Sequence, residues 1–125
     1  MSPARTTVDR ARARGALLGL AVGDALGTTQ EFSEPAAPPF PKLAGGPQRE
    51  VVGGGPFSLQ PGQVTDDTQM AVCLADSLLA RGRYDPVDAA ARYVEWVRVA
   101  FDAGTQTRSA LSEVERGTPP VRAGR

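Results

Sequence analysis

From Gly15 to Gly27 the chain is apolar on nearly every face, with Asp24 its sole charge. A second apolar run, Met70–Ala75, follows directly on Thr65-Asp66-Asp67-Thr68, and a third, Val87–Phe101, interleaves aromatic and aliphatic residues with Asp88, Arg92 and Glu95. These recurrences fit the 3.6-residue helical period, and no useful length of period-2 alternation accompanies them. The pattern predicts four helices, over residues 8–27, 66–81, 86–101 and 105–116, and an all-α fold. The punctuation agrees. Thr65 is placed to cap the second helix and Gly82 to stop it, while Asp85 caps the third with Pro86 at its first position.

The same pattern implies a larger core. In the third helix Asp88, Arg92 and Glu95 form one narrow polar stripe. Val87, Ala91, Val94 and Phe101 cover one flank, and Tyr93, Trp96 and Ala100 the other. A helix apolar on most faces belongs inside a bundle, and four helices cannot surround two such members. The chain is therefore expected to be part of a larger helical core. Gly15, Gly19, Gly23 and Gly27 recur every four residues, at up to ~1 kcal/mol each relative to Ala. Close approach of a neighbouring helix along that strip is the expected compensation. A membrane-embedded glycine pairing needs a longer apolar span than this one.

Residues 28–64 form a long connection rich in Pro and Gly, and a structureless loop of that length is usually functional or disordered. It contains "GGGPFSLQPG", whose glycines permit backbone to approach a ligand closely. A flexible linker is the other reading, and composition leaves both open.

Composition removes several chemistries. At 125 residues one domain is expected. The net charge of zero leaves no electrostatic footprint for nucleic acid or an anionic membrane. With no histidine and one cysteine, Cys73, His-dependent nucleophilic catalysis, zinc knuckles and intrachain disulfides are excluded. Any metal must be held by oxygen, which selects a hard cation such as Mg²⁺, Mn²⁺ or Ca²⁺. Arg10, Arg12 and Arg14 before "GALLGLAVG" imitate a signal peptide, but Asp9 and Asp24 bracket the run and no small-residue cleavage site follows. The expected location is cytoplasmic.

The adjacent Asp66 and Asp67 pose the sharpest question. Acids in a first turn complement the helix dipole, and Thr is a good cap. Two carboxylates about 4 Å apart repel by ~1 kcal/mol in water but ~4 kcal/mol at an effective dielectric of 20. Exposed, they need no further partner; half-buried, they call for a proton or a cation. Capping and cation binding both remain open on these residues alone.

The order "GALLGLAVGDALGTTQEF", "GGGPFSLQPGQVTDDTQMAVCLADSLLARGRYD", "AARYVEWV" and "FDAGTQT" resembles the ADP-ribosylglycohydrolase family from about Arg12 to Pro120. That family includes enzymes that remove ADP-ribose from arginine or serine of modified proteins, among them the dinitrogenase reductase-activating glycohydrolase. The resemblance implies that Thr65, Asp66 and Asp67 form half of a binuclear Mg²⁺ or Mn²⁺ site. It implies that Glu31 is a loop glutamate that ligates metal or orients water, where an unaided reading makes it a solvated loop acid. Asp102 corresponds to an acidic position near the substrate ribose. Gly53, Gly54, Gly55 and Phe57 would line the approach to the ligand, and Asp24 is a hallmark read as structural. The implied partners are an ADP-ribosylated protein or an ADP-ribose-containing small molecule. The resemblance also implies that the chain is the amino-terminal part of a larger orthogonal helical bundle, since a second Asp-x-Asp-Thr cluster and an Asn-Gly segment, both expected of the family, are not in this sequence. The implied activity is hydrolysis of the glycosidic bond to ADP-ribose, with this chain inactive by itself and the carboxyl-terminal remainder of the fold as its complement. A non-catalytic ADP-ribose-binding or helical interaction module is the alternative.

Overall fold

In a computed structural model, residues 9–32 and 50–124 are described. They form α1 (Arg10–Gly27), a short 3-10 turn (Thr28–Gln30), α2 (Asp66–Arg81), α3 (Pro86–Val97) and α4 (Thr105–Glu115). The described residues contain no strand, only an isolated antiparallel bridge between Gly54 and Leu59, so the fold is all-α as the periodicity predicts. The start expected at Val8 and the stretch 33–49 of the connection lie outside the described residues. The chain packs as two compact units, Met1–Val64 and Thr65–Arg125.

In the first unit, Asp9 caps α1 by accepting from the Ala11 amide at 2.9 Å. Of the eighteen residues of α1, Ala25 alone is buried, and Leu17, Leu18, Leu20 and Val22 are exposed. A Cβ added at Gly15, Gly19, Gly23 or Gly27 would meet nothing within 4 Å. The neighbouring helix expected along that strip is therefore not supplied by the described residues. Thr28, predicted to begin the connection, instead continues α1 into the 3-10 turn: its amide donates to the Asp24 carbonyl and its hydroxyl to Ala25 O at 3.3 Å.

In the second unit, α3 packs between α2 and α4. Val94, Trp96 and Leu111 are its buried centre, with Met70, Cys73, Tyr93 and Val114 packed around them. Asp85 caps α3, accepting from the Val87 and Asp88 amides at 3.0 and 3.2 Å. Gly82 ends α2 in the left-handed conformation (φ 65°), its amide donating to Leu78 O at 2.8 Å. The end of α3 departs from expectation. Its apolar pattern runs on to Phe101, but the helix stops at Val97, where the amides of Val99 and Ala100 both turn back to the Trp96 carbonyl at 3.1 Å. Ion pairs tie the layers: Asp88 joins Arg81 of α2 to Arg92 of α3, and Arg98 joins α3 to Glu115 of α4.

Candidate active site

The candidate residues fall in both units. In the first, Gly53, Gly54 and Gly55 adopt φ of 70°, 84° and 67°, a run of left-handed backbone that favours glycine. Gly54 and Leu59 exchange amide–carbonyl bonds at 2.8 and 3.0 Å, which folds 54–59 into a tight hairpin. A Cβ at Gly55 would collide with the Thr28 carbonyl oxygen, so the glycines also let this hairpin close on the 3-10 turn. Beside that contact the rings of Phe57 and Phe32 meet edge to face, centroids 6.0 Å apart. Half-buried Glu31 directly precedes Phe32, which itself has a left-handed φ of 56°. The fold thus brings the loop bearing Glu31 together with the hairpin bearing Gly55 and Phe57.

In the second unit, Thr65, Asp66 and Asp67 stand at the mouth of α2. Thr65 is the N-cap residue, and its carbonyl accepts the first helical hydrogen bond, from the Gln69 amide at 3.2 Å. Its side chain does not cap. It is buried, with extended backbone (φ −106°, ψ −158°), and makes no hydrogen bond to the first-turn amides. The expected threonine cap is therefore corrected: Asp9 and Asp85 cap their helices through carboxylates, and Thr65 does not. Asp66 is half-buried and Asp67 exposed, so their repulsion lies between the aqueous and low-dielectric limits.

Asp102 sits half-buried in the loop between α3 and α4. Arg108 braces that loop, donating to the carbonyls of Ala103 at 3.1 Å and Ala100 at 3.4 Å. The helical pattern places Trp96 on an apolar flank and singles out nothing at Gln69. In the structure the Trp96 indole N–H donates to the Gln69 side-chain oxygen at 2.7 Å, bridging the end of α3 to the first turn and a half of α2. The available clue was general: a buried indole usually finds an acceptor for its N–H.

Thr65, Asp66 and Asp67 offer only oxygen donors, the set that a hard cation prefers. Two full negative charges also exceed the roughly half positive charge of a helix amino terminus. The donor set fits Mg²⁺ or Mn²⁺ in part. Among the described residues no three acidic or thiol side chains gather into a group able to hold a metal ion, so α2 presents a carboxylate pair and not a closed cage.

An all-α protein with a glycine-built hairpin and paired carboxylates at a helix mouth is the class these elements define. The chain belongs to the ADP-ribosylglycohydrolase family, whose model matches residues 5–125. It is 46% identical over 110 residues to the ADP-ribosylarginine hydrolase Tri1 of Serratia proteamaculans, covering 82% of this chain and 28% of that protein. It is 45% identical over 103 residues to the ADP-ribosyl-[dinitrogen reductase] glycohydrolase of Rhodospirillum rubrum, covering 80% of this chain and 33% of that one. A solved structure titled ADP-ribosylglycohydrolase-related protein complex superposes with a TM-score of 0.70 at 47% identity, over 87% of this chain and 34% of its own. The chain thus spans about a third of the length of these proteins. No described helix is long and apolar enough to cross a membrane.

Proposed function

We propose that this chain carries one half of a Mg²⁺- or Mn²⁺-dependent centre for hydrolysing the glycosidic bond between ADP-ribose and a protein side chain or small molecule. One observation supports it above the rest: Thr65 is buried at the mouth of α2 yet does not cap it, beside two consecutive carboxylates. The helix start does not use the threonine side chain as a cap, and two full negative charges exceed what a helix amino terminus alone balances. Membership of the family supports the substrate class.

In this reading Thr65, Asp66 and Asp67 hold the cation. When bound, the cation supplies an anchor for ribose hydroxyls and lowers the pKa of a water. Glu31 orients the attacking water, takes its proton as the new C–O bond forms at the anomeric carbon, and returns a proton to the departing nitrogen or oxygen as the glycosidic bond breaks. Bond cleavage develops positive charge at the anomeric carbon, and Asp102 offers a carboxylate to the ribose. The hairpin of Gly53, Gly54 and Gly55, with Phe57, lines the approach of the nucleotide.

Two measurements test this. Titration of Mn²⁺ into the chain should show weak binding that Asp66→Asn or Asp67→Asn weakens further. The loss should be at least the roughly 10–100-fold that follows removal of a mere outer-shell partner. Wild-type binding that both variants leave unchanged overturns the assignment. Separately, ADP-ribose release from an ADP-ribosylated protein should be slight or nil with this chain alone. Release that Asp66→Asn abolishes would instead make these residues sufficient for catalysis.

A second reading, a non-catalytic ADP-ribose-binding or helical interaction module, is favoured by the lack of any three-acid cluster among the described residues. Calorimetric titration of ADP-ribose separates the two. Binding indifferent to Mg²⁺, without hydrolysis, supports the module.

A further inference from the structure

The mouth of α2 carries the candidate carboxylates without the side-chain cap that most helices use to hold a first turn. The first turn is tied instead to a second helix of the same unit. The first helical hydrogen bond of α2 runs from the Gln69 amide to the Thr65 carbonyl. The side chain of that same Gln69 accepts from Trp96 at 2.7 Å. Trp96 cannot drift, because its ring is buried with Val94 and Leu111 and flanked by Met70 and Cys73 of α2. Its backbone serves a second end. The Trp96 carbonyl accepts from both Val99 and Ala100, which starts the turn leading to Asp102.

We propose that Trp96 is a positioning residue: its indole N–H, through Gln69, fixes the first turn of α2 and with it Asp66 and Asp67, while its carbonyl fixes the approach to Asp102. The inference rests on the reading of Asp66 and Asp67 as metal ligands. It adds that their placement is dictated from α3 and not by a local cap. Tertiary positioning of this kind makes the pair rigid when the core of the second unit is formed, and loose when it is not.

Hydrogen exchange read by mass spectrometry on the 125-residue chain tests it. Trp96→Phe keeps an aromatic ring and removes the donor; Gln69→Met removes the acceptor with little change of volume and little demand on the core. Both should speed exchange of the amides of residues 69 and 70 by about fivefold, the worth of one ordinary hydrogen bond. The amides of α4 should stay at the wild-type rate. Gln69→Glu retains an oxygen acceptor and should remain within about twofold of wild type. Unchanged exchange at 69–70, an equal rise throughout α4, or a wild type already unprotected at 69–70 overturns the proposal.

Mn²⁺ titration of the same samples keeps the two ideas apart. Gln69→Met should weaken Mn²⁺ binding by roughly tenfold, as loss of an outer partner does. Wild-type uptake that Gln69→Met leaves unchanged overturns the positioning role. If the wild type takes up no Mn²⁺ at all, the metal reading falls, and the exchange pattern alone decides for or against control of the turn by Trp96.

Discussion

Arg92 Nε donates to Asp88 Oδ2 at 2.8 Å within α3, while Arg81 reaches the other carboxylate oxygen from α2 at the same distance. Arg92, the largest influence, holds the Asp88 carboxyl down from 3.8 to about 2, with Arg81 adding to the effect. The fully buried Ser77 hydroxyl also contributes by proximity, although its geometry falls short of a formed hydrogen bond. Two members of the polar stripe, Asp88 and Arg92, thus form with Arg81 a clamp between two helices.

The pH dependence follows from that shift. Asp88 binds its proton less readily folded than unfolded, so it stabilises the fold fully above its unfolded value near 3.8. That contribution fades as pH falls through the range down to about 2. Asp88→Asn should lower the urea midpoint at pH 7, and most of the gap between variant and wild type should be gone by pH 2. A gap that persists unchanged at pH 2 would contradict the clamp.

Asp85 is a working cap with two amides on one carboxylate oxygen. Asp85→Ala should cost about 1 kcal/mol of stability, the usual loss for such a cap. Chemical denaturation followed by circular dichroism measures it.

Glycine substitutions should act in opposite directions at two positions of the first unit. Gly55→Ala meets both a left-handed φ and the Thr28 carbonyl, and should destabilise by about 2 kcal/mol or more. Gly19 is helical with open space around a Cβ, so Gly19→Ala should stabilise α1 by up to ~1 kcal/mol. Helix content and proteolytic resistance of the two variants should diverge accordingly.

Exposed apolar side chains are abundant: Leu79 is 84% and Val99 83% exposed, and the leucines of α1 are open as well. Patches of this kind favour association or a loosened core. Sedimentation velocity should show concentration-dependent self-association, and an apolar dye should bind. A monomer with a single sharp thermal transition would count against it.

Local chemistry made much of the fold legible. The end of α2 follows from Gly82, and the start of α3 from Asp85-Pro86, because caps and breakers act within a few residues. The end of α3 was not legible, since no Gly or Pro interrupts "VRVAF" and only the double turn onto the Trp96 carbonyl stops the helix. Thr65 looked like a cap because its residue type is right; its extended backbone and burial are set by what surrounds it, which a sequence does not display. The Trp96–Gln69 bond spans 27 positions, beyond any periodic pattern. For the candidate acids, the doubled Asp could be singled out from charge repulsion, while Glu31 and Asp102 drew attention only through resemblance.

The position of Trp96 also decides what light can see. It is the single tryptophan of the chain, and both tyrosines, Tyr84 and Tyr93, lie in the same unit, Thr65–Arg125. Intrinsic fluorescence therefore arises from the three-helix unit, whereas far-ultraviolet dichroism counts α1 as well. An emission melt that departs from the far-ultraviolet dichroism melt would report two halves coming apart at different temperatures.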